Sequence, residues 1–346
     1  MMNLILLTFL SFFSLLLINI FIKKNKYSFL FFLDTDFTKP QSFHKEAILR
    51  IGGLFLITPV LIFGIFNLDN KFYLMTTLFL FSNFLLGFID DAKLIRNPFA
   101  RFLIFLLLNF SLIIYFEIKI NNFDLYFFDY INTTEFYSYL LVLFSIFFVI
   151  NGSNLIDGFN GLLTIHALII SYILLFICFY LNLEKELNYI LIILIGLNFF
   201  LILNFPKASF FLGDNGSYFI GSFLSIIIIM ISNVSENISP FFYAIILYYI
   251  FFEILFSVFR KIFERKNPFY PDKYHLHMLV FYFINSKNNW LQSNYLTSVY
   301  INIVYVITLI PVIYFYDNTF VCKIYLTALF FLYLSVYLFL RRQCKI

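Results

Sequence analysis

The chain has 346 residues, is 62% hydrophobic and 23% aromatic, and carries only 12% charged residues, about half the share of a soluble globular protein. That composition excludes a water-soluble enzyme and gives no reason to expect a nucleic-acid partner, so the protein is read as an integral membrane protein. The net charge of +4 says little until it is divided between the loops.

Apolar stretches close to the roughly 20 residues that cross a bilayer as a helix recur at 3–22, 51–67, 72–89, 102–118, 138–151, 162–182, 189–204, 217–232, 240–259, 295–316 and 320–340. They predict an all-α polytopic bundle of about eleven transmembrane helices, with ten as the alternative count, in one domain over 1–346. Continuous apolar runs exclude a membrane barrel, whose strands alternate. The first stretch is long and lacks a small-residue cleavage site, so it reads as a retained span. Cys178, Cys322 and Cys344 lie far apart and suggest neither a disulfide framework nor a zinc site.

An odd number of crossings places the termini on opposite sides. Counted loop by loop, 19 of the 23 Lys and Arg residues fall on one side, and only Lys71, Lys119, Lys185 and Lys323 on the other. The positive-inside rule then predicts an outer N-terminus and a cytoplasmic C-terminus. A basic inner face suits both anionic lipid head groups and an anionic substrate.

Five inner segments are denser in polar residues than such short loops require. The first, DTDFTKPQSFHKEAILRIGG (34–53), contains Lys45 and ends in a glycine pair. In GFIDDAK a long apolar run stops at two adjacent carboxylates, Asp90 and Asp91. Such a pair beside lipid either caps a span in water's reach or holds a metal or a proton, with Lys93 available to offset the repulsion. In NGSNLIDGFNGLL (151–163), a helical continuation would align Asn151, Asn154, Asp157 or Gly158, and Gly161 on one face. That stripe of amide, carboxylate and bare backbone can ligate a cation or bind a sugar, and it also fits a simple helix end. In FFLGDNGSYFIG (210–221), a glycine-rich turn opens a span and offers backbone N–H groups to phosphate, yet Asp214 would repel it unless Mg²⁺ bridged the two. Otherwise it is an ordinary turn. In PDKYHLHML (271–279), His275 and His277 lack further Cys or His, which favours hydrogen bonding to phosphate over a transition-metal site. His166 reads as a packed core residue, and Glu253, also within a span, as a functional group or an internal pair.

Taken in order and on one side, these five segments resemble the motifs of the polyprenyl-phosphate N-acetylhexosamine-1-phosphate transferases, glycosyl transferase family 4, whose superfamily includes phospho-N-acetylmuramoyl-pentapeptide transferase. The resemblance covers nearly the whole chain. It implies a multi-pass enzyme of the bacterial inner membrane with its active site on the cytoplasmic face, which moves a sugar 1-phosphate from a UDP-N-acetylhexosamine donor to undecaprenyl phosphate with release of UMP. Mg²⁺ is the implied cofactor, with Mn²⁺ as a substitute; membrane lipids surround the protein, and a homodimer is a candidate assembly. On the resemblance, Asp90, Asp91, Asp157 and Asp214 are catalytic, and Asp91, Asn154 and Asp214 form the metal set. Lys45, Asn151, Asn154, Phe211, His275 and His277 bind substrate, Phe211 by stacking on uracil. Two departures, RIGG before the first span motif and Met278 where many relatives have a histidine, point away from the peptidoglycan enzyme and toward the initiation of another surface glycan. A transporter would instead gather polar residues at the midplane or show internal repeats, and the intact aspartates speak against an inactive scaffold.

Overall fold

The computed structural model describes residues 4–35, 47–95, 97–267, 272–286 and 289–344. Among them run α1 (Leu4–Lys24), α2 (Gly53–Ile65), α3 (Lys71–Asp91), α4 (Pro98–Phe116), α5 (Tyr126–Asn132), α6 (Glu135–Ile156) and α7 (Leu162–Tyr180). The second half contributes α8 (Glu184–Asn204), α9 (Gly213–Val234), α10 (Pro240–Ile246), α11 (Tyr248–Phe263), α12 (Leu276–Asn285), α13 (Trp290–Leu309) and α14 (Thr319–Gln343). The sequence supplies caps where the helices begin. Asn70, Asn97, Asn289 and Asn318 each accept a first-turn backbone N–H, in α3, α4, α13 and α14 respectively, and Pro98 and Pro240 occupy first turns, where no intrahelical bond is lost.

All eleven expected segments contain helix, but not all have crossing length. Among the described residues nine helices are long and apolar enough to span a bilayer, and α10 with α11, bent by 74°, adds a tenth only if the pair crosses as one span. The segment expected at 51–67 is the 13-residue α2, about 20 Å long at 1.5 Å per residue against a hydrocarbon core of about 30 Å. The short helices α5 and α12 lie outside the expected spans.

Contacts sort the helix ends into two groups. At one end, Asn121 N–H donates to Asn233 Oδ1 at 2.9 Å, Lys119 pairs with Glu135 at 2.8 Å, and Thr319 donates to Asp124 at 2.6 Å. Lys119 and Lys323, two of the four lysines placed on the outer side by sequence, are both here. At the other end meet the C-termini of α3 and α6 and the N-termini of α2, α4 and α9. Helix α9 packs on α3 and α6 and is the most enclosed, whereas α1, α4 and α14 form the rim. Buried amides bridge helices within the bundle: Asn83 and Asn109 donate to each other at 3.0 and 3.1 Å. His166 is buried against Tyr305 and contacts Asn302 at 3.2 Å, as a packed core residue would.

Strands are an addition to the expected all-helical fold. β1 (Leu33–Asp34) pairs antiparallel with β2 (Ile48–Arg50), which pairs parallel with β3 (Phe210–Phe211) in the register Leu49↔Phe210 and Arg50↔Phe211. Extended residues at the mouths of these loops satisfy one another's backbone groups beside an apolar bundle. The sheet thereby carries Arg50 to the start of α9.

Candidate active site

Close helix approach builds the centre of the site. A Cβ on Gly87 would overlap the Asp214 carbonyl, so the bare backbone of α3 lets the N-terminus of α9 sit against it. Gly213 opens α9 with φ +75°, and a Cβ there would lie 2.7 Å from Asp91 Oδ2. Asn215 is the hub. Its backbone N–H donates to Asp91 Oδ2 at 2.9 Å and its Nδ2 to the same oxygen and to the Arg50 carbonyl at 2.9 Å, while its Oδ1 accepts from Gly53 N–H at 2.7 Å. Asp91 is buried, and its second oxygen, Oδ1, has no hydrogen-bond partner among the described residues.

Asp90 is held differently. Its Oδ2 accepts from Tyr218 O–H at 3.2 Å, and Arg101 Nη1 lies 3.6 Å from its Oδ1. The cation beside the acidic pair is therefore Arg101, in the first turns of α4, whereas Lys93 is exposed. Arg50 pairs with Asp34 through Nε at 2.9 Å and Nη2 at 2.6 Å. Burial opposes its charge, but Asp34, Asp214 and Asp91 together hold its guanidinium above the ordinary range. Asp214 thus shares an electrostatic neighbourhood with Asp90, Asp91 and Asp157.

The helical stripe proposed for 151–161 is cut short. Helix α6 ends at Ile156, and Asp157 caps it with φ −76° and ψ 59°, so the run of aligned positions stops at Asn154. Asn151 donates back to the Phe147 carbonyl at 2.8 Å, and Asn154 Oδ1 accepts from Ser217 Oγ at 3.0 Å. Burial pushes the Asp157 carboxyl up to about 7, with Arg50 opposing and Asp214 adding to the shift.

Helix α12 brings the histidines alongside. A Cβ on Gly158 would sit 3.5 Å from His277 Nε2, and Phe159 meets the His277 ring at 5.8 Å. Burial pulls His277 below the usual imidazole range, against the neighbouring Glu253 carboxylate. Met278, named above as a departure from the resembled motif, is 1% exposed and packs in the apolar core. Phe211 stands in β3, where its carbonyl accepts from Gly52 N–H at 2.9 Å. Lys45 lies outside the described residues.

Among the described residues no three His, Cys, Asp or Glu side chains are grouped as a protein-only metal site. The donor set fits Mg²⁺ all the same, because that ion usually takes one or two carboxylates and completes its shell with water and substrate phosphate. Asp91 Oδ1, which has no hydrogen-bond partner among the described residues and feels the nearby Asp214 charge, would be such a donor.

A cavity of about 300 Å³ opens next to this centre, lined by apolar residues such as Leu86, Ile89, Phe102, Phe105 and Phe147 together with Asp90, Arg101, Asn151 and Tyr218. Sequence reasoning passed over Arg101 and Tyr218. Both left a signal: Tyr218 stands four residues after Asp214 on one helix face, and Asn97-Pro98 marks a helix start that puts Arg101 at the same end as Asp90.

Residues 72–232 match the model of glycosyl transferase family 4, a stretch that includes Asp90, Asp91, Asp157 and Asp214. Over 273 residues the chain is 29% identical to an undecaprenyl-phosphate alpha-N-acetylglucosaminyl 1-phosphate transferase from Thermotoga maritima, covering 77% of each chain. It is 29% identical over 232 residues to a phospho-N-acetylmuramoyl-pentapeptide-transferase from Orientia tsutsugamushi, covering 55% of this chain and 62% of that one. A protein of the same name from Dictyoglomus thermophilum is 28% identical over 190 residues, 53% of this chain and 59% of its own. The family that the five segments resemble is the family these comparisons return: just under half of the chain, residues 72–232, is similar to glycosyl transferase family 4.

Proposed function

We propose that the protein transfers an N-acetylhexosamine 1-phosphate from a UDP-sugar to undecaprenyl phosphate, releasing UMP, as the first step of a cell-surface glycan other than peptidoglycan. One observation carries this reading: a cavity with many apolar wall residues also presents Arg101 and Asp90, next to the Asp91, Asp214 and Asn215 cluster. An isoprenoid tail fits the aromatic walls while its phosphate meets Arg101. The nucleotide sugar then takes the other side of the cluster, between Arg50, Asp157 and His277. The relative from Thermotoga maritima, matched over more of its length than the other two, is named for undecaprenyl phosphate and an N-acetylglucosaminyl 1-phosphate group, which supports that acceptor and that class of transferred group.

In this reaction an oxygen of the lipid phosphate forms a bond to the β-phosphorus of the donor, and the bond from that phosphorus to the bridging oxygen breaks, so UMP departs with the electron pair. Two anions must approach each other, and Arg101 and Arg50 lower that cost from opposite sides. Asp91 and Asp214 would hold Mg²⁺ or Mn²⁺, which supplies charge neutralisation to the diphosphate. Asn215 keeps Asp91 aimed by occupying Oδ2 and leaving Oδ1 open. The basic end of the bundle is the cytoplasmic one in this reading, in the bacterial inner membrane.

Purified protein in detergent, given undecaprenyl phosphate, Mg²⁺ and a panel of UDP-amino-sugars, should release UMP only when lipid phosphate and metal are both present. No release with any donor from folded protein refutes the proposal. The panel includes UDP-N-acetylmuramoyl-pentapeptide, because two relatives carry the name of that transferase; turnover with it alone would move the chain to that branch.

A further inference from the structure

Glu253 has no part in the steps above, yet it lies within α11 with 1% of its surface exposed. A buried carboxylate is costly unless its oxygens are used, and both are. Oε1 accepts from Leu276 N–H at 3.0 Å, which ties down the first turn of α12, and Oε2 lies 3.4 Å from His275 Nδ1. The other nitrogen of His275 is 3.6 Å from Asp272 Oδ1. Asp272 is itself gripped by Arg260, whose two terminal nitrogens donate at 2.8 and 3.1 Å. His275 therefore stands between two anchored carboxylates, and its ring stacks on that of His277 at 5.4 Å with 7° between planes.

His277 is placed otherwise. Its Nδ1 faces Glu253 Oε1 at 3.8 Å, beyond hydrogen-bond length, and among the described residues its buried Nε2 has no hydrogen-bond partner and lies against the bare backbone of Gly158, next to Asp157. We propose that Glu253 is a positioning residue: with Asp272 it clamps His275, and the clamp presents His277 Nε2, as a hydrogen-bond acceptor, to a hydroxyl or amide N–H of the nucleotide sugar. The inference rests on the transferase reading and deepens it. A carboxylate facing Nδ1 draws the single ring proton to that nitrogen and leaves a lone pair on Nε2. A phosphate oxygen, which brings no proton, is a poor match for that lone pair, so the phosphate-binding role expected for this pair from sequence does not extend to His277.

The chain has four histidines, so ¹⁵N-histidine labelling gives four ring spectra, assigned by substituting each in turn. The expected wild-type spectrum shows the Nδ1–H tautomer at His275 and His277. In Glu253→Gln the amide oxygen keeps Leu276 N–H and its NH₂ turns to His275, so that ring's proton moves to Nε2. Turnover should fall about 10- to 100-fold, as when an outer partner of a ligand is lost, mainly in kcat, with His277→Gln more damaging than His275→Gln. Nε2–H tautomers in the wild type, or an unchanged His275 tautomer in folded Glu253→Gln, overturn the proposal. Should that variant fail to fold, the wild-type spectrum decides alone. Expected tautomers in a protein that transfers nothing would support the clamp and sink the transferase reading; reversed tautomers in an active enzyme would do the opposite.

Discussion

Asp157→Asn offers the clearest reading of what the site costs the fold. The carboxyl is raised from its ordinary value near 3.8 to about 7, first by burial and then by Asp214, against Arg50. The move from 3.8 to about 7 corresponds to about 4 kcal/mol, and because Asp157 is only partly buried, solvent screening brings the expectation to about 2–4 kcal/mol. The sign follows from proton counts. Between pH 3.8 and about 7 the folded state keeps a proton that the unfolded state has lost, so the wild type loses stability as pH rises across that window and levels off above it. Asparagine has no proton to lose. The variant should therefore match the wild type near pH 4 and exceed it by about 2–4 kcal/mol at pH 8, while turnover at pH 8 collapses. Buried Cys178 and Cys322 supply the assay, since a thiol-reactive dye reports their exposure on heating. Unfolding temperatures of the two proteins that run parallel from pH 4 to pH 8 would refute the assignment of a strained, ionised Asp157.

Other expectations test the remaining parts of the site. Arg101→Gln should raise KM for the lipid phosphate at least about tenfold, the loss of one charged hydrogen bond, and leave KM for the nucleotide sugar nearly unchanged; equal effects on both would detach Arg101 from the cavity. Gly87→Ala forces a methyl group into the Asp214 backbone, costs about 1–3 kcal/mol of stability and lowers kcat, as measured by dye unfolding and UMP release. A variant with wild-type values would mean that the helices part without cost. Asp214→Asn should abolish metal-dependent turnover while the unfolding temperature is maintained, and near-normal transfer by the folded variant would remove Asp214 from the metal set.

The positions of the helices were legible in the sequence because apolar runs and their asparagine and proline caps are local signals. That the chemistry gathers at one end was legible too, since Asp90, Asp91, Asp157 and Asp214 all stand at helix ends, which the structure brings together. What pairs with what was not. Asp90 is met by Arg101 and not by Lys93, because the chain turns at Lys93 with φ 55° and the partner arrives on the next helix. The stripe from Asn151 onward failed at Ile156 for a related reason: a helical projection assumes a helix that continues, and the C-cap at Asp157 redirects the chain. The sheet joining residues 33–34, 48–50 and 210–211 is a long-range pairing of two- and three-residue segments, too short for alternation to register. Glu253 was visible as an anomaly; only the fold could supply its partners, 22 and 23 residues away.

Charge balance at the site sets the order of binding. Asp90, Asp91, Asp157 and Asp214 gather around Arg50 and Arg101, and Arg50 is already engaged by Asp34. With the aspartates ionised the cluster is negative before any substrate arrives, and both proposed substrates are anions. Two like charges 4 Å apart repel by about 4 kcal/mol at an effective dielectric of 20, so a diphosphate cannot settle beside Asp91 and Asp214 without a counter-charge. At the N-terminus of helix α9 the Asn215 N–H is already spent on Asp91. Titration of the metal-stripped protein with a UDP-sugar by calorimetry should therefore give no measurable heat, and addition of Mg²⁺ should restore binding. Equal affinity with and without metal would place the diphosphate away from Asp91 and Asp214 and leave the unpartnered Asp91 Oδ1 without a chemical purpose.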